Sequence, residues 1–272
     1  MFRAKILAAP YIVWMSIFII FPLGLVGYYA FTDKDGTFTL SNLADIGRYV
    51  SVFGRSIWLA MIATAICFVI AFPLAYMISR MTPAQQTLMI MLIMLPMWMN
   101  FLLRTYAWMS ILENNGLINR LLGLIGIGPF EMINTKGAVV LGMVYNYLPF
   151  MILPLYSVMT KIDQSIIEAA QDLGANTKNI VFKVLFPLSV PGISSGVTMV
   201  FVPSISTFII SRMLGGGGNL LIGDLIEMQF LGNAYNPHLG SALALVLMVL
   251  VLLIMSVTGA IGAEEDMEEM LV

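Results

Sequence analysis

Residues 161–187 read KIDQSIIEAAQDLGANTKNIVFKVLFP, and this stretch decides the fold. Ser165 and Glu168 stand at capping-box spacing, so a helix is predicted to start at Ser165 with Glu168 reaching back to the Ser165 amide. Ile166, Ile167, Ala169, Ala170 and Leu173 give that helix an apolar face. Gly174 is placed to end it in the left-handed conformation that glycine adopts cheaply. Asn176 or Thr177 can cap a second helix, which carries Ile180, Val181, Val184 and Leu185 and stops at Pro187. The result is a compact helix, turn, helix unit between two long apolar stretches. Its small alanines let another protein approach closely, which makes it a docking site.

Outside this loop the chain is overwhelmingly apolar. Of 272 residues, 60% are hydrophobic and only 10% charged, with a mean hydropathy of +0.93. Soluble proteins carry roughly 25% charged residues, so an ordinary cytosolic or secreted enzyme lacks the polar surface it needs here. A single Cys excludes a disulfide scaffold. A formal net charge of -2 without a Lys/Arg-rich run leaves nucleic-acid binding without electrostatic support. A β-barrel is excluded by apolar stretches that are long and continuous instead of alternating.

Six stretches are long enough to cross roughly 30 Å of hydrocarbon at about 1.5 Å per residue. Their centres lie at 11–31, 56–79, 87–109, 138–160, 188–211 and 239–262. The first follows Arg3 and Lys5, but it is too long for a signal-peptide core and no small-residue cleavage site ends it, so it is read as an uncleaved span. Pro22, Pro73, Pro96, Pro149, Pro154 and Pro203 fall inside the spans, and each removes a backbone hydrogen bond. Six spans place both termini on one side. With the ends inside, Arg3, Lys5, Arg80, Lys161, Lys178 and Lys183 face in, while Lys34, Arg48, Arg55, Arg120, Lys136 and Arg212 face out. The tie leaves orientation undecided by charge bias.

The loop also carries a signature. Glu168, Ala169, Ala170, Gly174 and Pro187 match the Glu-Ala-Ala, three residues, Gly, nine residues, Ile-x-Leu-Pro pattern of the integral membrane permeases of bacterial ABC importers. Val184 and Phe186 stand at its two aliphatic positions, Phe186 being the larger departure. The chain resembles that family, which implies an all-α membrane protein with the type I importer permease fold. The resemblance also implies that the loop between the fourth and fifth spans, residues 161–187, is cytoplasmic and holds the coupling helix that docks on an ATPase subunit. Ser165, Glu168, Ala169, Ala170, Gly174 and Pro187 then become the ATPase-coupling residues, and both termini lie inside a bacterial inner membrane. Further stretches, LPMWMNFLLRTYAW at 95–108, YLPFMILPLYSVM at 147–159 and GGGGNLLIGDLIEMQFL at 215–231, are similar to the polyamine branch, the B-type permeases of spermidine/putrescine importers. Related permeases for other small organic solutes share much of the pattern.

The resemblance implies a division of labour. No G-x-x-x-x-G-K-[ST] is present, and the glycine run Gly215 to Gly218 continues into Asn219 without the phosphate-binding lysine. That run is read as a flexible loop. No cofactor is expected on this chain. ATP and Mg belong to partner ATPase subunits, and the other partners are a second permease, an extracytoplasmic substrate-binding protein, the lipid bilayer and the polyamine. The chain divides into 1–52 (tail, first span and loop), the transport domain 53–262, and an acidic tail, 263–272.

A polyamine needs carboxylates and aromatic faces. The carboxylate candidates are Glu113, Glu131, Asp224 and Glu227, the last two lying one helical turn apart. The aromatic candidates are Trp98, Tyr106, Trp108, Tyr145 and Tyr147, although Trp and Tyr also gather at membrane interfaces without binding anything. Arg104, inside the third span, would repel a cationic cargo, so it is read as paired with a carboxylate or backbone carbonyls. Gly192-Ile193-Ser194-Ser195-Gly196 fits the G-x-S-x-G pattern of serine hydrolases, which makes an intramembrane hydrolase using Ser194 the contrasting reading. The only His, His238, would lie across the membrane from Ser194. The same residues form Gly-x-x-x-Gly, a close-packing face for helices, and that reading is preferred.

Overall fold

A computed structural model describes residues 10–232 and 234–269, with side chains to residue 260. The acidic side chains of the 263–272 tail, together with Arg3 and Lys5, lie outside the described residues. Four helices are long and apolar enough to cross a membrane unbroken: α1 (Pro10–Ala30), α2 (Ser41–Ser79), α6 (Lys136–Met159) and the apolar part Pro237–Ala260 of α12 (Pro237–Glu269). Two further spans are bent. The third consists of α3 (Pro83–Trp98) and, at 87° to it, the segment Phe101–Leu124, which holds α4 (Phe101–Leu112) and α5 (Leu117–Leu124). The fifth consists of α8 (Thr177–Leu188) and α9 (Val190–Ser206), meeting at 72°. Short α7 (Gln164–Asp172) precedes α8, while α10 (Ile209–Gly215) and α11 (Ile222–Leu231) lie between the fifth and sixth spans.

The third stretch was expected as one continuous span and is broken. Pro96 has no N–H to donate, Met99 is extended, and Asn100 caps a new helix by accepting from the Leu102 and Leu103 amides at 2.9 and 3.4 Å. The fifth stretch was expected to run to 211, yet α9 ends at Ser206. Around Pro203, the Ser204 and Ser206 hydroxyls donate to the Val200 and Val202 carbonyls at 2.6 and 3.0 Å, drawing acceptors out of the helix ladder.

Two other prolines widen a helix without breaking it. π-turns at Ser16–Ile20 and Val181–Leu185 each end in a Phe-Pro pair, Phe21-Pro22 and Phe186-Pro187. In both, the Phe N–H reaches back five residues, to Ser16 and Val181. A proline ring clashes with the carbonyl four residues back, and one wider turn relieves that clash. The second helix of the loop therefore passes through Pro187 to Leu188 instead of stopping there.

The centre of the bundle is α6, with 61% of its apolar window buried, against none for α1. Along α2, Ser56, Ala60, Ala63, Cys67, Ala71 and Ala75 are all fully buried. This stripe of small side chains recurs every three or four residues and lets α2 lie close against its neighbours. On α9, Gly192 and Gly196 serve the same end. A Cβ at Gly192 would stand 3.0 Å from the Pro154 carbonyl oxygen, and one at Gly196 2.7 Å from Met151 Sδ. The Gly-x-x-x-Gly reading therefore holds. Ser194 lies inside a helix, with its hydroxyl donating to the Pro191 carbonyl at 3.2 Å, and the described residues hold no strand to build a nucleophile elbow. His238 is at the start of α12, at the opposite end of the bundle, within 3.2 Å of the Tyr29 carbonyl. The hydrolase reading is thereby excluded.

Candidate functional site

One end of the bundle is capped by α7, α8 and the tight turn between α2 and α3. α7 starts two residues earlier than the sequence predicts. Asp163, not Ser165, is the cap: its carboxylate accepts the Ser165 N–H at 3.0 Å, and Ser165 is already the second helical residue. That bond holds the Asp163 carboxyl below its usual range. The Ser165 to Glu168 spacing hid a closer acid two residues upstream. Gly174 ends α7 at φ +80°. Its N–H donates to the Gln171 carbonyl at 2.8 Å and the Ala175 N–H to Ala170 at 3.0 Å, the double bond of a Schellman turn. Asn176 then caps α8, accepting from the Asn179 N–H at 2.9 Å.

This unit is anchored from below and open above. Ile162, Ile167, Ile180 and Leu185 are buried in the core that also holds Ala71, Ala75, Met151 and Leu155. Arg80 donates to the Ile162 carbonyl at 3.1 Å while its guanidinium lies 5.4 Å over the Tyr76 ring. Gln86 donates to the Ser79 and Met81 carbonyls and accepts from the Tyr156 hydroxyl at 2.9 Å, tying the α2–α3 turn to α6. On the outer face Glu168 and Ala169 are exposed and Ala170 half-buried. Leu173 is 89% and Phe182 70% exposed. Leu173 and Phe182 are thus large apolar side chains left uncovered on an end-capped pair of helices whose other side is buried.

The opposite end is denser than expected. The glycine run read as a flexible loop is tied down on three sides. Arg55 donates to the Gly218 and Leu220 carbonyls at 3.3 and 2.6 Å, and Asn219 donates to Asn134 and Gly215 at 2.9 and 2.8 Å. At Gly216, φ +62°, a Cβ would meet the Asn134 side chain at 2.7 Å. The Ile222 N–H donates to the buried Ser56 hydroxyl at 2.9 Å, which seats α11 on α2. Asp224 is fully buried and Glu227 is held by Arg212 of α10, a partner that nothing local in the sequence announces. Twelve residues separate Arg212 from Asp224, so only the fold brings them together.

Of the aromatic candidates, Trp108 and Tyr145 meet edge to face at 5.3 Å between ring centroids. Both line an apolar cleft of about 750 Å³ along α2 and α6, with Trp58 on one wall and Lys136 at its rim. The Tyr147 hydroxyl faces the Pro203 carbonyl at 3.4 Å. Trp98 and Tyr106 flank the bend of the third span and are 76% and 52% exposed, outside that cleft. Glu131 belongs to a neighbouring smaller cleft, and Glu113 ends α4 with its carbonyl accepting from Asn119 at 3.2 Å. Arg104 is buried and donates to the Pro96 carbonyl at 2.9 Å, so a backbone carbonyl is its partner.

Apolar spans, two of them bent, carrying an outward-facing helix pair at one end define a multi-pass helical membrane permease. Residues 67–261 match the family described as binding-protein-dependent transport system inner membrane component, and the chain belongs to that family. It is 38% identical over 263 residues to the spermidine/putrescine transport system permease protein PotB of Haemophilus influenzae, covering 93% of this chain and 92% of that protein. Against PotB of Escherichia coli it is 34% identical, covering 87% and 89%. A bacterial ABC transporter involved in import of the acidic polysaccharide alginate matches in structure with a TM-score of 0.80, covering 96% of each chain at 17% identity. The fold is that of the type I ABC importer permeases, as the Glu168 to Pro187 signature implied.

Proposed function

We propose that this chain is the permease subunit of an ATP-driven importer that carries polyamines, spermidine or putrescine, across a bacterial inner membrane by alternating access. The helix pair α7 and α8 carries this reading: it exposes Glu168, Ala169, Leu173 and Phe182 while its other side is locked into the bundle core. An ATPase that changes shape on binding and hydrolysing ATP can move such a unit as one body, because its ends are capped and its base is packed. ATP and Mg reside on the two ATPase subunits, and this chain supplies no catalysis. Orientation follows: α7 and α8 face the cytoplasm with both termini, while α10, α11 and the glycine run face the extracytoplasmic binding protein. A second permease completes the path. The two curated relatives above, both named for spermidine/putrescine transport, support the cargo class.

The test is ATPase activity in proteoliposomes holding this chain with its ATPase and partner permease. Loaded binding protein should stimulate hydrolysis, and Glu168→Ala should abolish that stimulation while the complex remains inserted. Stimulation by a different solute only would keep the importer and remove the polyamine, and failure to associate with any ATPase would remove the importer.

A further inference from the structure

At the end of the bundle away from α7, three charged side chains of α10 and α11 form one cluster. Arg212 donates through Nη1 to Glu227 Oε1 at 3.1 Å and through Nη2 to Oε2, and its Nε lies 3.9 Å from Asp224 Oδ1. Asp224 has no solvent exposure. Its Oδ2 accepts from the Ser211 hydroxyl at 2.6 Å and the Leu221 N–H at 2.8 Å, whereas its buried Oδ1 has no hydrogen-bond partner. Two carboxylates thus share one guanidinium, and among the described residues no second basic group comes within 4.0 Å of either.

A cluster serving stability alone would close that oxygen with a donor and balance its charge. This one is a cation short. Its present cation is also the part nearest solvent: the Arg212 side chain is 46% exposed, Glu227 21% and Asp224 not at all. The guanidinium engages Glu227 through both Nη atoms and leaves its Nε 3.9 Å from Asp224 Oδ1, beyond hydrogen-bond distance. An ammonium, compact and with three donors, fits between the two acids.

We propose that Arg212 is a stand-in cation that an ammonium group of the cargo displaces, sitting between Asp224 Oδ1 and Glu227 while the guanidinium swings into solvent. The inference rests on the polyamine reading and deepens it by naming a cargo site. Exchange of one cation for another leaves the net charge of the cluster unchanged, so cargo enters and leaves without stripping both acids of their shared cation. A neutral solute cannot make the exchange, which gives the site a preference for organic cations.

The test is calorimetric titration of spermidine into the full permease and ATPase complex in nanodiscs, without binding protein. Arg212→Gln should tighten binding roughly tenfold or more, because the competitor is gone, and Glu227→Gln should weaken it by a similar factor. Arg212→Lys, which keeps a competing cation in place, should fail to tighten binding, so that tightening in Arg212→Gln reports loss of the competitor and not of the side chain alone. A merely structural clamp would make Arg212→Gln and Glu227→Gln shift binding in the same direction or not at all, and either result overturns the proposal. Spermidine uptake by the wild-type importer is measured in parallel. Opposite shifts without uptake would remove the cargo reading and keep the site, and uptake with like-signed shifts would remove the site and keep the reading.

Discussion

Arg104 and Pro96 meet across the bend of the third span, where the Arg104 Nη1 donates to the Pro96 carbonyl at 2.9 Å and the guanidinium lies 5.9 Å from the Phe101 ring centroid. A break inside an apolar span frees backbone acceptors that hydrocarbon cannot satisfy. The buried Arg is thus the donor that makes an 87° bend tolerable, and its charge is spent on the backbone. Arg104→Met should cost about 1–3 kcal/mol, the penalty for a buried acceptor left without a donor. Thermal unfolding in detergent measures this, and the emission of Trp98 and Trp108, on either side of the bend, should shift at temperatures where the wild type is unchanged. Equal stability and unshifted emission would show that the bend holds itself.

Gly192 tests helix approach against chemistry at one place. Gly192→Val must push α9 off the Pro154 carbonyl, which an ideal Cβ already approaches at 3.0 Å, with Val158 Cγ2 at 3.1 Å. Overpacking of this kind costs typically about 1–3 kcal/mol. Ser194→Ala, two residues on, should leave stability and transport near wild type, and a fluorophosphonate probe should not label Ser194. Labelling, or loss of transport in Ser194→Ala with Gly192→Val tolerated, would contradict the packing assignment.

The contrast between these two regions explains how far the sequence could be read. Six apolar stretches and the caps Gly174 and Asn176 are local signals, governed by composition and by turns a few residues long, and they were legible. Asp163 was missed because Asp163 and Ser165 offered alternative caps two residues apart and only the backbone geometry chooses between them. The bend at Met99 and Asn100 was masked by hydropathy, which counts apolar residues and is blind to a lone capping Asn. The Arg212 cluster was illegible for a different reason: its members come from two helices, and the charge of Arg212 was counted only toward orientation. Nor did composition reveal that Arg55 and Asn219 would immobilise a run of four glycines.

Acid should loosen α7 at its first turn. The Ser165 N–H holds the Asp163 carboxyl below its usual range, so the cap is fully present above the unfolded value and is lost as pH falls through the lower folded one. Amide exchange at Ser165 and Ile166, corrected for intrinsic rate, should therefore be flat from neutral pH down to about pH 4 and rise below it. Asp163→Asn, which keeps a cap without a titrating group, should abolish that rise. A pH-independent profile in the wild type would place the cap elsewhere.

Leu173 separates folding from docking most cleanly, since a side chain 89% exposed contributes almost nothing to the stability of the free chain. Ala169 and Phe182 of the same helix pair are likewise exposed, whereas Ile167, six residues back, is 2% exposed and belongs to the core. Leu173→Asp should leave the thermal midpoint of the purified permease within about 1 °C, as exposed substitutions stay within about 0.5 kcal/mol. Its affinity for the ATPase should nonetheless fall roughly tenfold or more, because a buried interface leucine is replaced by an unpaired charge. Ile167→Asp should do the reverse in order of events, destabilising the permease itself before any ATPase is added. Pull-down of the ATPase subunit across both variants, alongside melting curves, decides the matter: undiminished association of Leu173→Asp would mean that the ATPase seats on another face of the loop, and a lowered midpoint would mean that Leu173 is covered within the permease.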